Sequence, residues 1–427
     1  MRRWNLSHYV ITSCVTAALL AGCGGSQAPI GAPGALPQTS ALAARTNRTH
    51  YKVLYSFGAP PDGNNPRASL IDVGGTLYGT TFAGGANSCS YISPHTSCGT
   101  VFSITPSGAE NVLYSFGPPP DGDNPDAGLI DAGGTLYGTT SDGGHTVYSR
   151  YYTCGTVFSL TPSGAETVIY RFDGYYNDGC GPVAGLIDVY GTLYGTTYSG
   201  GIAGGPGCKY ASCGSFYSVT TQGEEVMLHS FGGTQGGSHP RAGLIDVKGE
   251  LYGSTSLGSK RHPGSVFRMT TSGAKTVLHV FKKTDGASPY ASLLELNGKL
   301  YGTTSLGGAY NCSTNHKGCG TVFSIPPEGG MENVLLSFNG ADGFFPTASL
   351  IELNGRLYGT TLYGGAYNDG TVFSITPSGK EKVLHSFGAG SDGKQPLAGL
   401  LDVNGTLYGT TSSGGTYNNG TVFTLKP

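Results

Sequence analysis

The stretch ASLIDVGGTLYGTT, residues 68–81, decides the fold, because close variants of it recur along the whole chain. Each copy is followed by a Gly-Thr/Ser-Val/Phe-Phe/Tyr segment, a turn and another apolar run, such as residues 112–116. Its Leu-Tyr-Gly centre begins seven times, at Leu77, Leu136, Leu193, Leu251, Leu300, Leu357 and Leu407. A period of roughly 50–60 residues indicates a repeat architecture.

Each repeat has the pattern of four short strands separated by turn residues. In the first repeat we predict strand a at Ala68–Val73, strand b at Thr76–Thr81, strand c at Thr100–Thr105 and strand d at Asn111–Phe116. The Gly74-Gly75 pair between strands a and b suits a two-residue hairpin turn, which needs positive φ. No apolar period of 3.6 residues occurs in the repeats, so the chain is predicted to be all-β.

Seven repeats of four antiparallel strands predict a seven-bladed β-propeller. The two ends of the array are complementary. Val53–Phe57 reads as a strand d without its own a, b and c, and the last repeat stops after strand c, Gly420–Leu425. We therefore predict that the N-terminal strand completes the last blade, because this closure removes both exposed edges.

The first residues predict an export signal, residues 1–22. Its cleavage motif is Leu20-Ala21-Gly22-Cys23, with Cys23 directly after the predicted cleavage site. This motif resembles a bacterial lipobox, in which the cysteine after the cleavage site is lipidated. The resemblance implies an anchor in the bilayer through Cys23, and Gly24 after it suggests the bacterial outer membrane or cell surface. Residues 23–50 then form a flexible linker to the propeller, residues 51–427. An ordinary signal peptide with an incidental cysteine is the alternative.

The cysteines predict disulfides in an oxidising compartment. Eight remain after Cys14 and Cys23 are set aside. Pairs within one loop predict Cys89–Cys98, Cys208–Cys213 and Cys312–Cys319, and the remaining two cysteines predict Cys154–Cys180. A metal site with these irregularly spaced cysteines is the alternative.

Composition narrows the function. Only 12% of the residues are charged and the net charge is −2, so we expect no nucleic-acid partner and a monomer. The sequence contains no Gly-x-Ser-x-Gly elbow, His-Glu-x-x-His motif or Walker loop. No catalytic residue and no cofactor is therefore predicted.

Recurring acids have two interpretations. The seven acids that end strand a, such as Asp72, either form a ring around the channel or accept hydrogen bonds from the adjacent turn. A second set lies in the loops between strand d and the next strand a. Its richest copy contains Asp121, Asp123 and Asp126, whose oxygens are a candidate calcium site.

Aromatic residues in the long loops suggest a recognition surface, because tyrosine offers a large contact area at low entropic cost. Packing of the long loops is the alternative interpretation. His229, His279 and His385 occupy strand d positions where other repeats have tyrosine, and we interpret them as packing variants. The predicted ligand-binding residues are Tyr148, Tyr151, Tyr152, Tyr175, Tyr176, Tyr198, Tyr310, Tyr363, Tyr367 and Tyr417.

The whole phrase Leu-Tyr-Gly-Thr-Thr, then Gly-Gly, then Gly-Thr-Val-Phe resembles the bacterial GloVer tandem-repeat proteins, the "choice-of-anchor" repeat family, from about Tyr51 to Pro427. The resemblance implies an exported, anchored repeat protein and no particular reaction. Our leading hypothesis is a tethered propeller that binds a glycan or a protein through its long-loop face. An extracytoplasmic hydrolase or lyase with a site at the channel mouth is the alternative, and a purely structural envelope protein is the third.

Overall fold

The computed structural model describes residues 50–89, 97–145, 153–174, 178–202, 213–232, 237–258, 263–312 and 318–427. Every regular element in these ranges is a β-strand. Seven four-stranded antiparallel sheets lie in a ring, which is the arrangement of a seven-bladed β-propeller. The predicted fold is confirmed. A search of these ranges found no helix with the length and apolar character needed to cross a membrane.

The strands run a, b, c, d from the channel outward. Strand a spans Ile71–Val73, Ile130–Ala132, Ile187–Val189, Ile245–Val247, Leu294–Leu296, Ile351–Leu353 and Leu401–Val403. Strand b spans Thr76–Thr81, Thr135–Thr140, Thr192–Thr197, Glu250–Thr255, Lys299–Thr304, Arg356–Thr361 and Thr406–Thr411. Strand c spans Thr100–Ile104, Thr156–Leu160, Ser215–Thr220, Ser265–Met269, Thr321–Ile325, Thr371–Ile375 and Thr421–Lys426. Strand d spans Glu110–Ser115, Glu166–Arg171, Glu225–Ser230, Lys275–Val280, Asn333–Ser337, Glu381–Ser386 and, in blade 7, His50–Ser56.

Short two-stranded pairs join the loops that lead into and out of some blades. They are Gly63–Asn64 with Ala83–Gly84, Gly122–Asp123 with Asp142–Gly143, Gly179–Cys180 with Ser199–Gly200, and Gly393–Lys394 with Ser413–Gly414.

The ring closes as predicted. The N-terminal strand His50–Ser56 pairs antiparallel with Thr421–Lys426 and becomes strand d of blade 7. Blade 7 then contacts blade 1, where the Thr410 hydroxyl donates to the Ala68 carbonyl at 3.3 Å. The equivalent bond from Thr80 to Ala127 joins blade 1 to blade 2 at 3.1 Å. Strand a is shorter than predicted, since the backbone at Ala68 bonds the preceding blade instead of strand b of its own blade.

The repeated Leu-Tyr-Gly phrase is a packing unit. Leu77 is fully buried and Tyr78 nearly so. A Cβ on Gly79 would lie 2.7 Å from both the Phe102 ring and the Leu70 side chain, so no larger residue fits there. The glycine thus lets the strand c ring lie flat across strand b, and this requirement recurs in every blade.

Aromatic pairs hold neighbouring blades together. The phenylalanine that follows strand d of one blade packs on the central strand c ring of the next blade, with ring centroids 5.0–5.4 Å apart. Such pairs add about 0.5–1.5 kcal/mol beyond the area they bury. The pairs are Phe57–Phe102, Phe116–Phe158, Phe172–Tyr217, Phe231–Phe267, Phe281–Phe323, Phe338–Phe373 and Phe387–Phe423.

The acids at the end of strand a stabilise the adjacent hairpin turn. In all seven blades a carboxylate oxygen accepts the N–H of the glycine at the second position of the turn, at 2.6–3.0 Å, as Asp72 does from Gly75. These contacts support the turn interpretation over a channel ring.

Three predicted disulfides are present, Cys89–Cys98, Cys154–Cys180 and Cys312–Cys319. Cys213 is also disulfide-bonded. Its predicted partner, Cys208, lies outside the described residues, so that pairing stays a prediction.

A polar cluster lies on the outer side of each blade interface. Between blades 1 and 2, the Tyr114 hydroxyl donates to Asp121 Oδ2 at 2.8 Å, and Glu166 of blade 2 faces both groups. Burial and the charge of Asp121 raise the pKa of Glu166 to about 7. His385 takes the tyrosine's role elsewhere and bonds Asp392 at 2.8 Å. The strand d histidines pack edge-on against the following phenylalanine as the tyrosines do, so the packing-variant interpretation is confirmed. They also have polar or charged neighbours at the interface.

Candidate functional site

One position in each repeat carries six different residue types across the seven blades, while its neighbours stay nearly constant. It follows the proline of the loop from strand d to strand a and precedes Ala-Gly/Ser-Leu. The constant alanine and leucine are buried in every blade. The seven variable residues are Arg67, Asp126, Val183, Arg241, Tyr290, Thr347 and Leu397. A symmetric frame thus presents six kinds of side chain at seven positions.

The backbone before each proline positions this residue. The residue that precedes the proline has a positive φ of 53–66° in all seven blades, including the bulky Phe345 at 61°. Such a conformation costs about 1–3 kcal/mol in a non-glycine residue and persists where the surroundings hold it. At Asn124 the N–H donates to Cys98 at 2.9 Å and the carbonyl accepts from Ser141 at 3.1 Å. The disulfide-bonded Cys98 therefore anchors the neighbouring mouth residue.

These variable residues line one cavity of about 280 Å³ at the channel mouth, which we call the mouth cup. Two residues after each variable position, just before strand a, every blade has glycine or serine. The segments of blades 5 and 6 approach closely there, since the Ser292 N–H donates to Ser349 Oγ at 3.1 Å. The residues that line the mouth cup are Arg67, Asp126, Val183, Arg241, Tyr290, Phe345, Thr347 and Leu397.

One side of the mouth cup holds an ion pair. Arg67 lies 3.4 Å from Asp126, and its guanidinium stacks 3.5 Å from the centroid of the Phe82 ring. Burial raises the pKa of Asp126, although Arg67 and Arg241 both oppose the shift. Burial therefore disfavours the ionised form of Asp126, and the two arginines favour it.

Arg241 is held by aromatic rings. Its guanidinium carbon lies 4.3 Å from the Tyr198 centroid and 5.2 Å from the Tyr290 centroid. Tyr198 also packs on His239 at 4.7 Å, and burial together with Arg241 lowers the pKa of that histidine. In the described part of the chain, no carboxylate forms a salt bridge with Arg241. Its N–H groups are therefore available to a ligand oxygen.

The other predicted tyrosines do not gather in the same way. Tyr310, Tyr367 and Tyr417 are exposed at 53%, 56% and 62% and belong to three different blades. Tyr363 instead packs on Phe344 at 5.3 Å. Of the predicted set, Tyr198 contacts Arg241 of the mouth cup, and Tyr363 contacts Phe345 with ring centroids 6.3 Å apart. Outside the described residues lie Tyr148, Tyr151, Tyr152, Tyr175 and Tyr176.

The three aspartates of the candidate calcium site have separate partners. Asp121 accepts the Tyr114 hydroxyl and two backbone N–H groups. Asp126 pairs with Arg67 across the mouth. Asp123 is buried near Asp142, and burial raises the pKa of Asp123 to about 7. Among the described residues these three carboxylates do not form one ligand group, and calcium binding stays an untested prediction.

A larger groove of about 660 Å³ lies at the opposite face, beside the turns of blades 6 and 7. Its lining includes Arg356, Lys380, Lys382 and Lys426. Arg356 donates to Ser374 at 3.0 Å and to the Lys380 carbonyl at 3.5 Å, so it is engaged in joining turns. We therefore favour the mouth cup as the site.

The mouth residues were not predicted from the sequence, apart from Asp126, which was considered only as a calcium ligand. The available signal was variation after a constant proline, between flanks that repeat in every blade. A residue that varies between constant neighbours in every repeat is not required by the packing of the blade. Such positions together indicate a candidate site.

A family model described as the Gloeobacter/Verrucomicrobia repeat matches residues 41–207 and again residues 206–423. The chain belongs to this repeat family. The resemblance noted from the repeated phrase is confirmed, and the two consecutive matches span the described propeller. A comparison with curated proteins found no significant sequence match to this chain.

Several solved structures are similar to this family member at low sequence identity. The nidogen/laminin complex is 13% identical, with 68% of this chain and 91% of that chain covered and a TM-score of 0.41. A puromycin-hydrolysing peptidase from Mycobacterium tuberculosis is 12% identical, with 83% and 52% covered and a TM-score of 0.47. A prolyl endopeptidase is 10% identical, with 82% and 46% covered and a TM-score of 0.44. The chain thus spans about half the length of each peptidase, and these likenesses concern the fold alone.

Proposed function

We propose that this protein is a binding module whose ligand enters the mouth cup. The asymmetric ring of side chains on a symmetric frame carries the proposal. Structural positions repeat from blade to blade, as the turn acids do, whereas the mouth positions differ in all but one pair. Small-molecule sites are typically concave, with a few convergent polar groups among apolar ones, and Val183, Leu397 and Phe345 supply the apolar wall.

The chemistry of the mouth cup favours a glycan that carries an acidic group. Arg241 offers unpaired guanidinium edges, and a planar guanidinium suits a carboxylate or sulfate with two parallel hydrogen bonds. Tyr290 and Phe345 add flat aromatic faces against which a sugar ring packs. The volume of about 280 Å³ accommodates one small moiety, so the remainder of a longer ligand extends over the exposed loop tyrosines.

The test is an array of neutral and acidic glycans, followed by calorimetric titration of any hit. We expect saturable binding to acidic glycans and at least about 10-fold weaker binding by Arg241→Ala, since hydrogen bonds to charged groups contribute about 1.5–3 kcal/mol. Arg268→Ala is the matched control. This arginine belongs to the same blade but lies on strand c with Glu250 at 3.6 Å, away from the mouth.

Equal loss of binding in both arginine variants would indicate a nonspecific charge effect. Unchanged binding in Arg241→Ala would exclude the mouth cup as the site of that ligand. A blank array would leave a protein ligand as the remaining binding hypothesis, to be tested by the same pair of variants.

A second candidate function is catalysis at the same mouth, favoured by Asp126 with its raised pKa. Proton transfer to or from a buried carboxyl group is a common catalytic device. Glycoside hydrolysis usually requires a pair of carboxylates. In the described ranges Asp126 is the one carboxylate that lines the mouth cup. Turnover of a bound glycan that disappears in Asp126→Asn, with binding retained, would establish this function.

We also propose that the propeller is a cell-envelope lipoprotein anchored through Cys23. The lipobox-like motif of residues 20–23 supports it, and the three disulfides suit an oxidising compartment. Labelling of expressing bacteria with a fatty-acid analogue tests the anchor. Label should reach the wild-type protein and be absent from Cys23→Ala; equal labelling of both would disprove it.

A further inference from the structure

The interface between blades 4 and 5 brings an imidazole and two carboxylates together. His279 lies on strand d of blade 4, Asp285 in the loop to blade 5, and Glu332 immediately before strand d of blade 5. One ring nitrogen of the histidine and one oxygen of each acid all lie within 4.8 Å of one another. The cluster therefore spans two blades.

Within the described ranges, two atoms of this cluster are buried without a hydrogen-bond partner, His279 Nε2 and Glu332 Oε1. The imidazole nitrogen lies 3.4 Å from Asp285 Oδ2, without the geometry of a hydrogen bond. Asp285 Oδ1 accepts the Lys282 backbone N–H at 2.6 Å, which leaves Oδ2 facing the histidine. Buried polar atoms are nearly always paired, so two unpaired ones that converge call for an explanation.

Equivalent interfaces of the same chain lack this combination. Between blades 6 and 7, His385 forms a 2.8 Å hydrogen bond with Asp392, and Tyr51 stacks on its ring where the interface between blades 4 and 5 has Glu332. Between blades 1 and 2, a tyrosine hydroxyl replaces the imidazole. The glutamate Oε1 is unpaired there as well, so the imidazole nitrogen is what distinguishes the interface between blades 4 and 5.

We propose that His279, Asp285 and Glu332 bind a divalent transition-metal ion, for which Zn²⁺ is the probe, and that this ion clamps blade 4 to blade 5. Zinc takes imidazole nitrogen and carboxylate oxygen ligands at about 2.0–2.2 Å. Ligand atoms within 4.8 Å of one another suit a common centre of that size. Ionised carboxylates at such separation repel one another, and a divalent cation between them replaces that repulsion with attraction.

The test uses the purified protein after exhaustive chelation, titrated with Zn²⁺ by calorimetry, with metal content measured by mass spectrometry. We expect one ion per chain and a higher melting temperature with the ion bound. His279→Tyr installs the residue that the chain itself uses at three equivalent interfaces, and it should weaken binding by at least about 100-fold. Glu332→Gln, a second ligand variant, should also weaken binding, whereas His385→Tyr should leave it unchanged.

Absence of stoichiometric Zn²⁺ binding would overturn the proposal. Wild-type affinity in both His279→Tyr and Glu332→Gln would do the same, because the ion would then lie elsewhere. Equal affinity for Ca²⁺ would overturn the transition-metal assignment, since calcium prefers oxygen ligands alone.

Discussion

The interface between blades 1 and 2 and the interface between blades 3 and 4 share one frame and carry opposite charges. Both have a T-shaped ring contact at the end of strand d, Tyr114–Phe116 at 5.2 Å and His229–Phe231 at 5.3 Å. The first interface adds two acids, Asp121 and Glu166. The second has the cation Lys275 at the glutamate position, 4.6 Å from the Phe231 centroid.

This comparison shows that both interfaces keep the same aromatic contact, whereas the charge of the polar groups beside it differs between them. Burial and the charge of Lys275 lower the pKa of His229 to about 4, and burial lowers the pKa of Lys275 to about 7. Both shifts oppose protonation, whereas the shift at Glu166 favours it. The interface between blades 3 and 4 therefore reverses the electrostatics of the interface between blades 1 and 2.

The largest expected effect follows from removing the acid that organises the first interface. Asp121→Ala leaves the Tyr114 hydroxyl and two backbone N–H groups without their acceptor. At about 1 kcal/mol or more for each lost partner, we expect about 3 kcal/mol of destabilisation in chemical denaturation. The control is Asp131→Ala, an exposed turn acid that accepts one N–H, and it should cost about 1 kcal/mol. Equal effects in both variants would show that the cluster is not structural.

The two interfaces should also respond to pH in opposite directions. Glu166 has a folded pKa of about 7 against an ordinary 4.5, so its stabilising contribution is present at low pH and is lost as pH rises between these values. Lys275 has a folded pKa of about 7 against 10.5, so its contribution is present above 10.5 and is lost as pH falls toward 7.

Denaturation of two variants across pH 4–10 separates these contributions. Glu166→Gln should flatten the stability loss between about pH 4.5 and 7 by about 1 kcal/mol, after allowance for solvent screening. Lys275→Met, which keeps the aliphatic stem, should flatten the rise above pH 7 by about 1–2 kcal/mol. Identical pH profiles for wild type and either variant would contradict the assigned shift.

The sequence was sufficient for features that depend on neighbours along the chain. Turn chemistry at Asn-Gly and Gly-Gly pairs, four-strand repeats and three disulfides were all predicted, because each involves one blade or two consecutive blades. Ring closure was predicted as well, since the truncations at Val53 and Leu425 are complementary. The strand d histidines were correctly interpreted as replacing tyrosine, whereas their charged neighbours, such as Lys275 beside His229, lie in the following loop or the next blade.

The mouth cup could not be predicted from the sequence in the same way. Its residues, from Arg67 to Leu397, lie one per blade and meet only when the ring closes. Whether a variable position faces the channel or solvent depends on the positive-φ residue before the proline, and at Phe345 or Gln395 this conformation is not what the residue type favours. A tertiary constraint, rather than local propensity, thus defines the site.

The smallest expected effect concerns the interface between blades 2 and 3, where Tyr217 replaces the phenylalanine used by the other six blades. Its side chain is fully buried, and among the residues that the structure describes its hydroxyl has no hydrogen-bond partner. An unpaired buried hydroxyl costs about 1 kcal/mol or more, so Tyr217→Phe should stabilise the protein by up to about 1 kcal/mol. The reciprocal change Phe158→Tyr should destabilise, because Gly138 already lies against that ring. If Tyr217→Phe were instead destabilising, the hydroxyl would have a stabilising partner. The tyrosine of blade 3 would then be a second position, besides those of the mouth cup, where the repeat departs from symmetry and the departure contributes to the protein.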